Sequence, residues 1–201
     1  MTLAEMRTKI RRDLKDEDPA NQRWSDDELD RHITHAVLDI SQASPQQKVS
    51  QGIVISTPAS KDIDISSLIG LILVDAVEYP TLVDPKRYRA FTVWGTTLSL
   101  LIDETPTAGQ PVNVRYSAVH TITASSSTLP PQLEDLCAVG AGAYAAIEWA
   151  AYSINQLNIG GAPTPAEFLK WAQDRMDFYQ KELKRYGRQQ RLKIARLYAE
   201  S

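Results

Sequence analysis

The sequence has little of what several common classes of protein require. It contains a single cysteine among 201 residues, Cys137, which excludes a disulfide framework and a cysteine-based zinc site. Its longest run of apolar or small residues, 136–147, is twelve residues long, whereas a membrane-spanning helix needs about 20. The N-terminus lacks the basic and then apolar order of a signal peptide. We therefore expect a chain that is cytosolic or is assembled in the cytoplasm.

The composition is that of an ordinary folded protein. Hydrophobic residues make up 43% of the chain, which is too many for a disordered protein. Eleven prolines and nine glycines are too few for a low-complexity protein. The length suffices for one domain or two small ones.

Charge is unevenly distributed along the chain. The net charge is −3, yet residues 181–201 carry seven basic and two acidic side chains. The other 180 residues carry 15 basic and 23 acidic ones. Because long-range charge acts on partners rather than on the fold, this asymmetry predicts an acidic body with a basic segment that interacts with another molecule.

Two helices are predicted in the first 45 residues, over 2–16 and 26–43. Apolar residues recur every three or four positions in both, which places them on one face of each helix. These positions are Leu3, Met6, Ile10, Leu14, Leu29, Ile33, Ala36, Val37 and Ile40. Ser25 and Glu28 have the spacing of a capping box, which marks the start of the second helix.

Alternation with a period of two predicts β-structure from 49 to 122. Apolar and polar residues alternate around Ile53 and Ile63, and again in the run that ends at Trp94. Gly95 follows that run and precedes another apolar run, so a β-hairpin is expected to turn near it. We expect five or six short antiparallel strands in a small sandwich or curled sheet.

Helical patterns return over 131–158 and 165–186, and Gly187 is expected to end the last helix. The sequence therefore predicts an α+β fold. A small antiparallel β domain is inserted into a helical bundle of two N-terminal and two long C-terminal helices. The predicted parts are an N-terminal helical pair (1–45), the β domain (46–124), the C-terminal helices (125–187) and a C-terminal arm (188–201).

The residues that could carry catalysis do not form a recognisable set. His32 and His35 are three residues apart on a predicted helix, but no further pattern of metal ligands accompanies them. Cys137 lies in a helix of small residues, where an inert buried thiol is usual. Gly140 and Gly142 match a loose dinucleotide motif, yet they lie inside a helix and not at its start, so we expect them to allow a close approach between helices. We expect no catalytic residue, no metal site and no cofactor.

The basic C-terminal segment interleaves cations with apolar residues. Such a segment binds nucleic acid, a membrane surface or a protein groove, or it is a solvated helix that packs on its own domain. A nucleic-acid-binding module is therefore an alternative function, although it would also need cations on the acidic body. A small hydrolase is a third alternative, and it lacks a site.

The order of elements resembles that of the head-to-tail connector (adaptor, or neck) proteins of tailed bacteriophages. The resemblance begins in 3–14 and in the segment Arg23-Trp-Ser-Asp-Asp-Glu-Leu29. It continues in four later segments, 77–80, 112–120, 127–130 and 145–149. The inserted β region is the less typical part.

This resemblance implies a structural, non-enzymatic virion protein of the neck, assembled in the host cytoplasm. It implies a ring of about twelve copies below the portal protein, which extends the DNA channel and offers a docking surface to the tail or a tail-completion protein. Genomic DNA would pass through the ring without sequence-specific binding, and no membrane is involved.

Two sets of residues are candidates for contacts in such a ring. The first is the basic arm, as the portal-binding element. Its candidate residues are Arg188, Arg191, Leu192, Ile194, Arg196, Leu197 and Tyr198. The second set is a group of small residues that would pack between subunits. Its members are Gly140, Gly142, Ala145 and Ala146.

Two further expectations concern charge. From Tyr116 to Leu169 the chain has no lysine or arginine, so a face that carries acidic side chains and lets DNA slide is expected there. The acidic residues of this part of the chain are Glu134, Asp135, Glu148 and Glu167. The acidic body also makes like subunits repel, so we expect the free chain to be monomeric or weakly associated until it meets the portal.

Overall fold

The computed structural model describes residues 1–56, 59–154 and 165–194. The chain divides into two compact units. Met1–Ser44 and His120–Ser201 form the first, called the helical unit here, and Pro45–Val119 form the second, the β unit. The predicted α+β class, with helices and an inserted antiparallel β part, is confirmed.

The described part of the helical unit contains four helices. They are α1 (Leu3–Leu14), α2 (Asp26–Ala43), α3 (Pro131–Ile154) and α4 (Pro165–Ile194). The predicted capping box of Ser25 and Glu28 starts α2, and a second one, of Thr2 and Glu5, starts α1. Each box satisfies two backbone N–H groups of the first turn. Lys15 has a left-handed φ of 56°, which ends α1 just before the predicted position.

The core of the helical unit forms around α3. This helix is apolar on all sides, a pattern typical of a helix that is surrounded by others, and α1, α2 and α4 all pack against it. Its small residues Ala141 and Ala143 are fully buried, as is Tyr179 of α4, whose hydroxyl donates to the backbone oxygen of Ala36 at 3.0 Å. No helix in the described parts of the chain is long and apolar enough to cross a membrane.

The last helix, α4, continues through Gly187 to Ile194, so the predicted break at Gly187 is wrong. A glycine in a helix costs only about 1 kcal/mol relative to alanine, and good helix formers flank this one. A Cβ atom at Gly187 would lie 3.7 Å from the backbone oxygen of Ala43, at the end of α2. Residues 188–194 of the predicted arm therefore extend α4, whereas 155–158 and 195–201 lie outside the described residues.

The β unit contains seven strands among its described residues, one or two more than predicted. They are β1 (Gln46–Val54), β2 (Asp62–Asp64), β3 (Leu71–Glu78), β4 (Tyr88–Arg89), β5 (Phe91–Trp94), β6 (Thr97–Leu100) and β7 (Pro111–Ala118). One sheet has the strand order β1-β7-β3-β4, and a three-stranded sheet has the order β2-β6-β5. All the pairings are antiparallel.

The predicted hairpin at Gly95 is confirmed by the pairing of β5 with β6. Trp94 lies opposite Thr97, and Gly95 takes a φ of 57° in the turn between them. Leu98 and Leu100 of β6 point to the other face of the sheet and are buried in the core of the β unit. The alternation along the strand therefore places Trp94 and Thr97 on the face away from this core.

Candidate interaction surfaces

Asp26 joins the first two helices at the segment that carries the sequence resemblance. It accepts hydrogen bonds from Arg7 and Arg11, each at 2.8 Å. Arg11 is 7% exposed and also donates to buried Asp16 at 2.6 Å. The hydrogen bond from Arg11 holds the pKa of Asp26 below its usual value, because it stabilises the charged carboxylate. Asp26 is therefore a surface residue whose ion pairs connect α1 to α2.

Trp24 connects the same segment to α3. Its side chain is buried, and its Nε1 donates to the backbone oxygen of Ala145 at 3.3 Å. The guanidinium of the preceding residue, Arg23, lies 4.7 Å from the ring centre of Trp149 on α3. The residues that make the chain look like a connector protein thus hold its own helices together.

The small residues predicted to pack between subunits lie inside the helical unit. A Cβ atom at Gly140 would come within 2.6 Å of the Tyr179 ring on α4. Gly142, Ala145 and Ala146 are buried as well. The close helix approach expected at these residues therefore takes place within one chain. Their surface is not available to a neighbouring subunit, which corrects the assignment to subunit packing.

The acidic residues of α3 do not form the expected free acidic face. Each described one pairs with a cation of α1 or α2, or with the N-terminus. The pairs are Glu134 with the Met1 amino group at 2.5 Å, Asp135 with Lys9, and Glu148 with Arg31 at 2.5 Å. Because the nearby cations offset these carboxylates, they give no support to a phosphate-repelling strip. The side chain of Glu167 lies outside the described residues.

The histidines of α2 and the cysteine of α3 lie in surroundings that suit a structural role. His32 Nε2 lies 3.0 Å from Glu148, and burial lowers the pKa of His32, which favours the neutral ring. His35 stacks on Tyr144 with ring centres 4.1 Å apart. Burial raises the pKa of Cys137 to about 12, so its thiol stays protonated. Among the described residues, no three potential metal ligands lie together.

His120 holds the chain where it re-enters the helical unit. Its backbone N–H donates to the Ser41 hydroxyl at 2.9 Å. Its ring nitrogens lie 3.0 Å from the backbone oxygens of Thr128 and Ser44. The sequence alone does not identify this structural role of His120, because a single histidine in a strand-like segment gives no signal of its partners.

A basic stripe lies on the exposed side of α4. Lys181, Lys184 and Arg188 are three and four residues apart and are exposed, so they share one helix face. Arg185 lies on the same side of the helix, four residues after Lys181 and three before Arg188, and it pairs with Glu182 at 2.5 Å. The stripe begins before the residues predicted as an arm, so it is part of the helix. The excess of lysine and arginine in the sequence indicated that this stripe is positively charged. The i, i+3, i+7 spacing indicated that its residues share one helix face.

The other predicted portal-binding residues cannot be placed as side chains. Arg191, Leu192 and Ile194 lie on the helical backbone of α4. The side chains outside the described residues are those of Arg191, Leu192, Ile194, Arg196, Leu197 and Tyr198. Arg188 is thus the one member of that set whose exposure the described residues establish.

Exposed apolar side chains concentrate in the β unit. Nine of the twelve large apolar side chains that the described residues expose lie there. Trp94, next to the turn of the β5–β6 hairpin, is 90% exposed, and its neighbour Val93 is 39% exposed. A large aromatic side chain in water is typical of a contact surface for another protein.

A second apolar surface lies at the start of β3. Ile69, Ile72 and Leu73 are 84%, 43% and 55% exposed, and we call them the β3 patch. A register shift between Leu71 and Leu73 interrupts the regular pairing with β7, which lets two consecutive side chains reach solvent. The sequence signal was the unbroken run Leu68–Val74, which has no polar residue to form a solvated face.

Comparisons with known proteins point to one family. The family model described as "SU10 adaptor protein" matches residues 1–196. No curated protein matches the chain. A chain in the solved structure titled "Neck of empty GTA particle computed with C6 symmetry" matches 86% of this chain and 88% of its own length. That match has 14% sequence identity and a TM-score of 0.32.

Proposed function

This chain belongs to the SU10 adaptor protein family, and we propose that it forms a ring under the portal protein in the neck of a tailed virion. The family match over 1–196 carries the proposal, because it extends over nearly all of both units. The ring holds about twelve copies, extends the DNA channel, and presents a docking surface to the tail or a tail-completion protein. Assembly takes place in the host cytoplasm, and the neck is the final location.

The portal-binding element in this proposal is the end of α4 with the segment that follows it. Its support is the basic stripe, which a continuous helix presents at fixed spacing. A helix that enters a groove buries apolar residues on one face and pairs its charges at the rim. The apolar candidates are Leu192, Ile194, Leu197 and Tyr198, and the cations are Arg188, Arg191 and Arg196. The partner surface would therefore be an acidic groove on the portal.

A charge reversal tests this element. We expect Arg188→Glu to weaken binding to portal-bearing heads about tenfold, because it replaces an attraction with a repulsion. The matched control is Arg12→Glu, since Arg12 is also an exposed arginine on a helix. Equal binding by the two variants would place the portal interface elsewhere on the chain.

The nucleic-acid alternative makes a different prediction for the same variants. If the basic stripe binds duplex DNA as its function, affinity for DNA falls steeply with salt and falls again in Arg188→Glu. Portal binding would then be the same in both variants. Under our proposal DNA is cargo in the channel, and the variant changes portal binding instead.

The assembly step follows from charge. The chain is net acidic, so free copies repel each other, and we expect a monomer or a weak association in dilute solution. Portal contact supplies the missing affinity, because each added copy binds beside one that is already held. Sedimentation of the purified protein without portal tests this step, and a stable ring under those conditions would contradict it.

A further inference from the structure

We propose that the Trp94 hairpin of one subunit packs on the β3 patch (Ile69, Ile72 and Leu73) of the next subunit in the ring. This inference rests on the proposed ring and adds the residues that join its neighbours. It follows from two exposed apolar features of one unit, the tip of the β5–β6 hairpin and a patch at the start of a strand with a register shift. Neither feature lies in the portal-binding element of α4.

The contact between the hairpin tip and the β3 patch is of the type that a ring requires. A closed ring of identical subunits needs a heterologous interface, in which two different surfaces of the same chain meet. The hairpin tip and the β3 patch are two such surfaces. Both are apolar, and every copy that offers a tip also offers a patch, so a second copy is always present as an occupant.

Charge permits this contact between copies. The β unit carries six basic and seven acidic side chains, so its net charge is close to zero. Approach of one β unit to another therefore meets little of the repulsion that the acidic chain produces as a whole. The apolar contact can form without burying an unpaired charge from the residues that define it.

The area of the contact explains why the ring waits for the portal. A large aromatic side chain removes about 200 Å² from water when it is buried, and the patch loses a similar area. The sum is far below the roughly 1,200 Å² of a stable protein pair. Two free copies therefore separate, whereas copies held side by side on a portal reach effective concentrations of about 1 mM and make the contact.

Cysteine cross-linking tests the pairing directly, because the native Cys137 is buried and its raised pKa makes it unreactive. Thr97 is exposed opposite Trp94, and Ser67 is exposed two residues before Ile69. We would prepare Thr97→Cys and Ser67→Cys as single variants in the full chain. Each would be loaded on portal, alone or as an equal mixture, and treated with a short bis-maleimide.

The expected result is cross-linked dimers in the mixture and none with either variant alone, because each contact joins one tip to one patch. Cross-linking within one single variant would show a symmetric contact and overturn the proposal. Portal complexes of normal mass without cross-links in the mixture would overturn it as well and leave the proposed ring standing. Failure of all variants and of the native chain to join the portal would instead contradict the proposed function.

A second measurement uses the native contact. Trp94→Ser should weaken association between copies by about 30-fold, as expected for loss of a central aromatic anchor. The matched control is Phe178→Ser, which removes a half-exposed aromatic side chain from α4. Sedimentation at high protein concentration reads out both variants, and equal association would show that the hairpin tip does not join copies.

Discussion

The helical unit and the β unit differ in what they leave exposed. The helical unit packs all of its described aromatic residues except Tyr152 and Phe178 against its core, and it pairs many of its described charges, as in the network around Arg11 and Asp26. The β unit carries nine of the twelve exposed large apolar side chains among the described residues, with Leu82 and Trp94 the most exposed. Similar residue types therefore stabilise the fold in one unit and remain available for partners in the other.

The difference assigns separate tasks to the two units. The helical unit carries the basic stripe on α4. The β unit supplies apolar surface, which contributes free energy only when a partner covers it. Substitutions of the same kind should accordingly change folding stability in one unit and assembly in the other.

The largest expected effect comes from replacing a buried aromatic residue. Tyr179→Ala should lower the free energy of unfolding by about 4 kcal/mol, because it leaves a cavity between α3 and α4 and removes the hydrogen bond to Ala36. Urea denaturation followed by circular dichroism measures this change.

The matched substitution in the β unit is Trp94→Ala. Because the Trp94 side chain is 90% exposed, the free energy of unfolding should change by no more than about 0.5 kcal/mol. A large loss of stability in Trp94→Ala would break the comparison, since it would make Trp94 a residue of the fold.

A smaller effect is expected from a single methyl group on α3. Gly140→Ala should cost about 2 kcal/mol, because its Cβ atom would meet the buried Tyr179 ring at 2.6 Å. Gly142→Ala is the control, since the nearest atom to its Cβ is 4.0 Å away. It should be neutral or stabilise the helix by up to about 1 kcal/mol.

A double variant separates the clash from other causes. In Gly140→Ala/Tyr179→Ala the ring that the new methyl group meets is gone, so the added cost of Gly140→Ala should disappear. Thermal or urea denaturation of the four proteins gives the coupling energy. Simple additivity would show that Gly140 acts through the helix backbone and not through Tyr179.

These contacts show which features of the helical unit could be predicted from the sequence. Apolar spacing predicted α1 and α2 to within two residues, and one capping box predicted the start of α2, because both signals are local. Gly140 was predicted to allow a close helix approach, but its partner, Tyr179, is 39 positions away and no local pattern identifies it. The predicted break at Gly187 failed because contact with the end of α2 and strong helix formers outweigh a small local cost.

The sequence predicted that the β unit is built from antiparallel strands, but it did not predict which strands pair. Alternation located the hairpin at Gly95, whereas the pairing of β7 with both β1 and β3 joins segments far apart in the chain. The exposure of the β3 patch depends on a register shift, which is a property of two strands together. The same limit applies to the candidate surfaces, since exposure is decided by tertiary packing.

A further small effect concerns pH and the paired charges of the helical unit. The folded-state pKa of Asp26 is lowered by its hydrogen bond from Arg11. Its stabilisation is therefore present above the unfolded pKa of about 3.9 and is lost as the pH falls through the folded value. Because the Asp26 side chain is 57% exposed and solvent screens its ion pairs, Asp26→Asn should cost only about 0.5 kcal/mol at neutral pH and flatten the loss of stability below pH ~4.

Urea denaturation at neutral and acidic pH measures this effect. Asp27→Asn is the control, because it removes the neighbouring carboxylate from the same turn of α2. If Asp26→Asn and the native chain lost stability in parallel as the pH falls, the ion pair with Arg11 would not contribute to the folded state.

The mass of the complex between the full chain and its portal protein tests the central claim most directly. Native mass spectrometry should show the free chain as a monomer and the portal either bare or carrying a complete ring of about twelve copies. Partly loaded portals should be rare, because neighbouring copies support one another. A portal that binds only one or two copies, or none, would contradict a ring-forming adaptor.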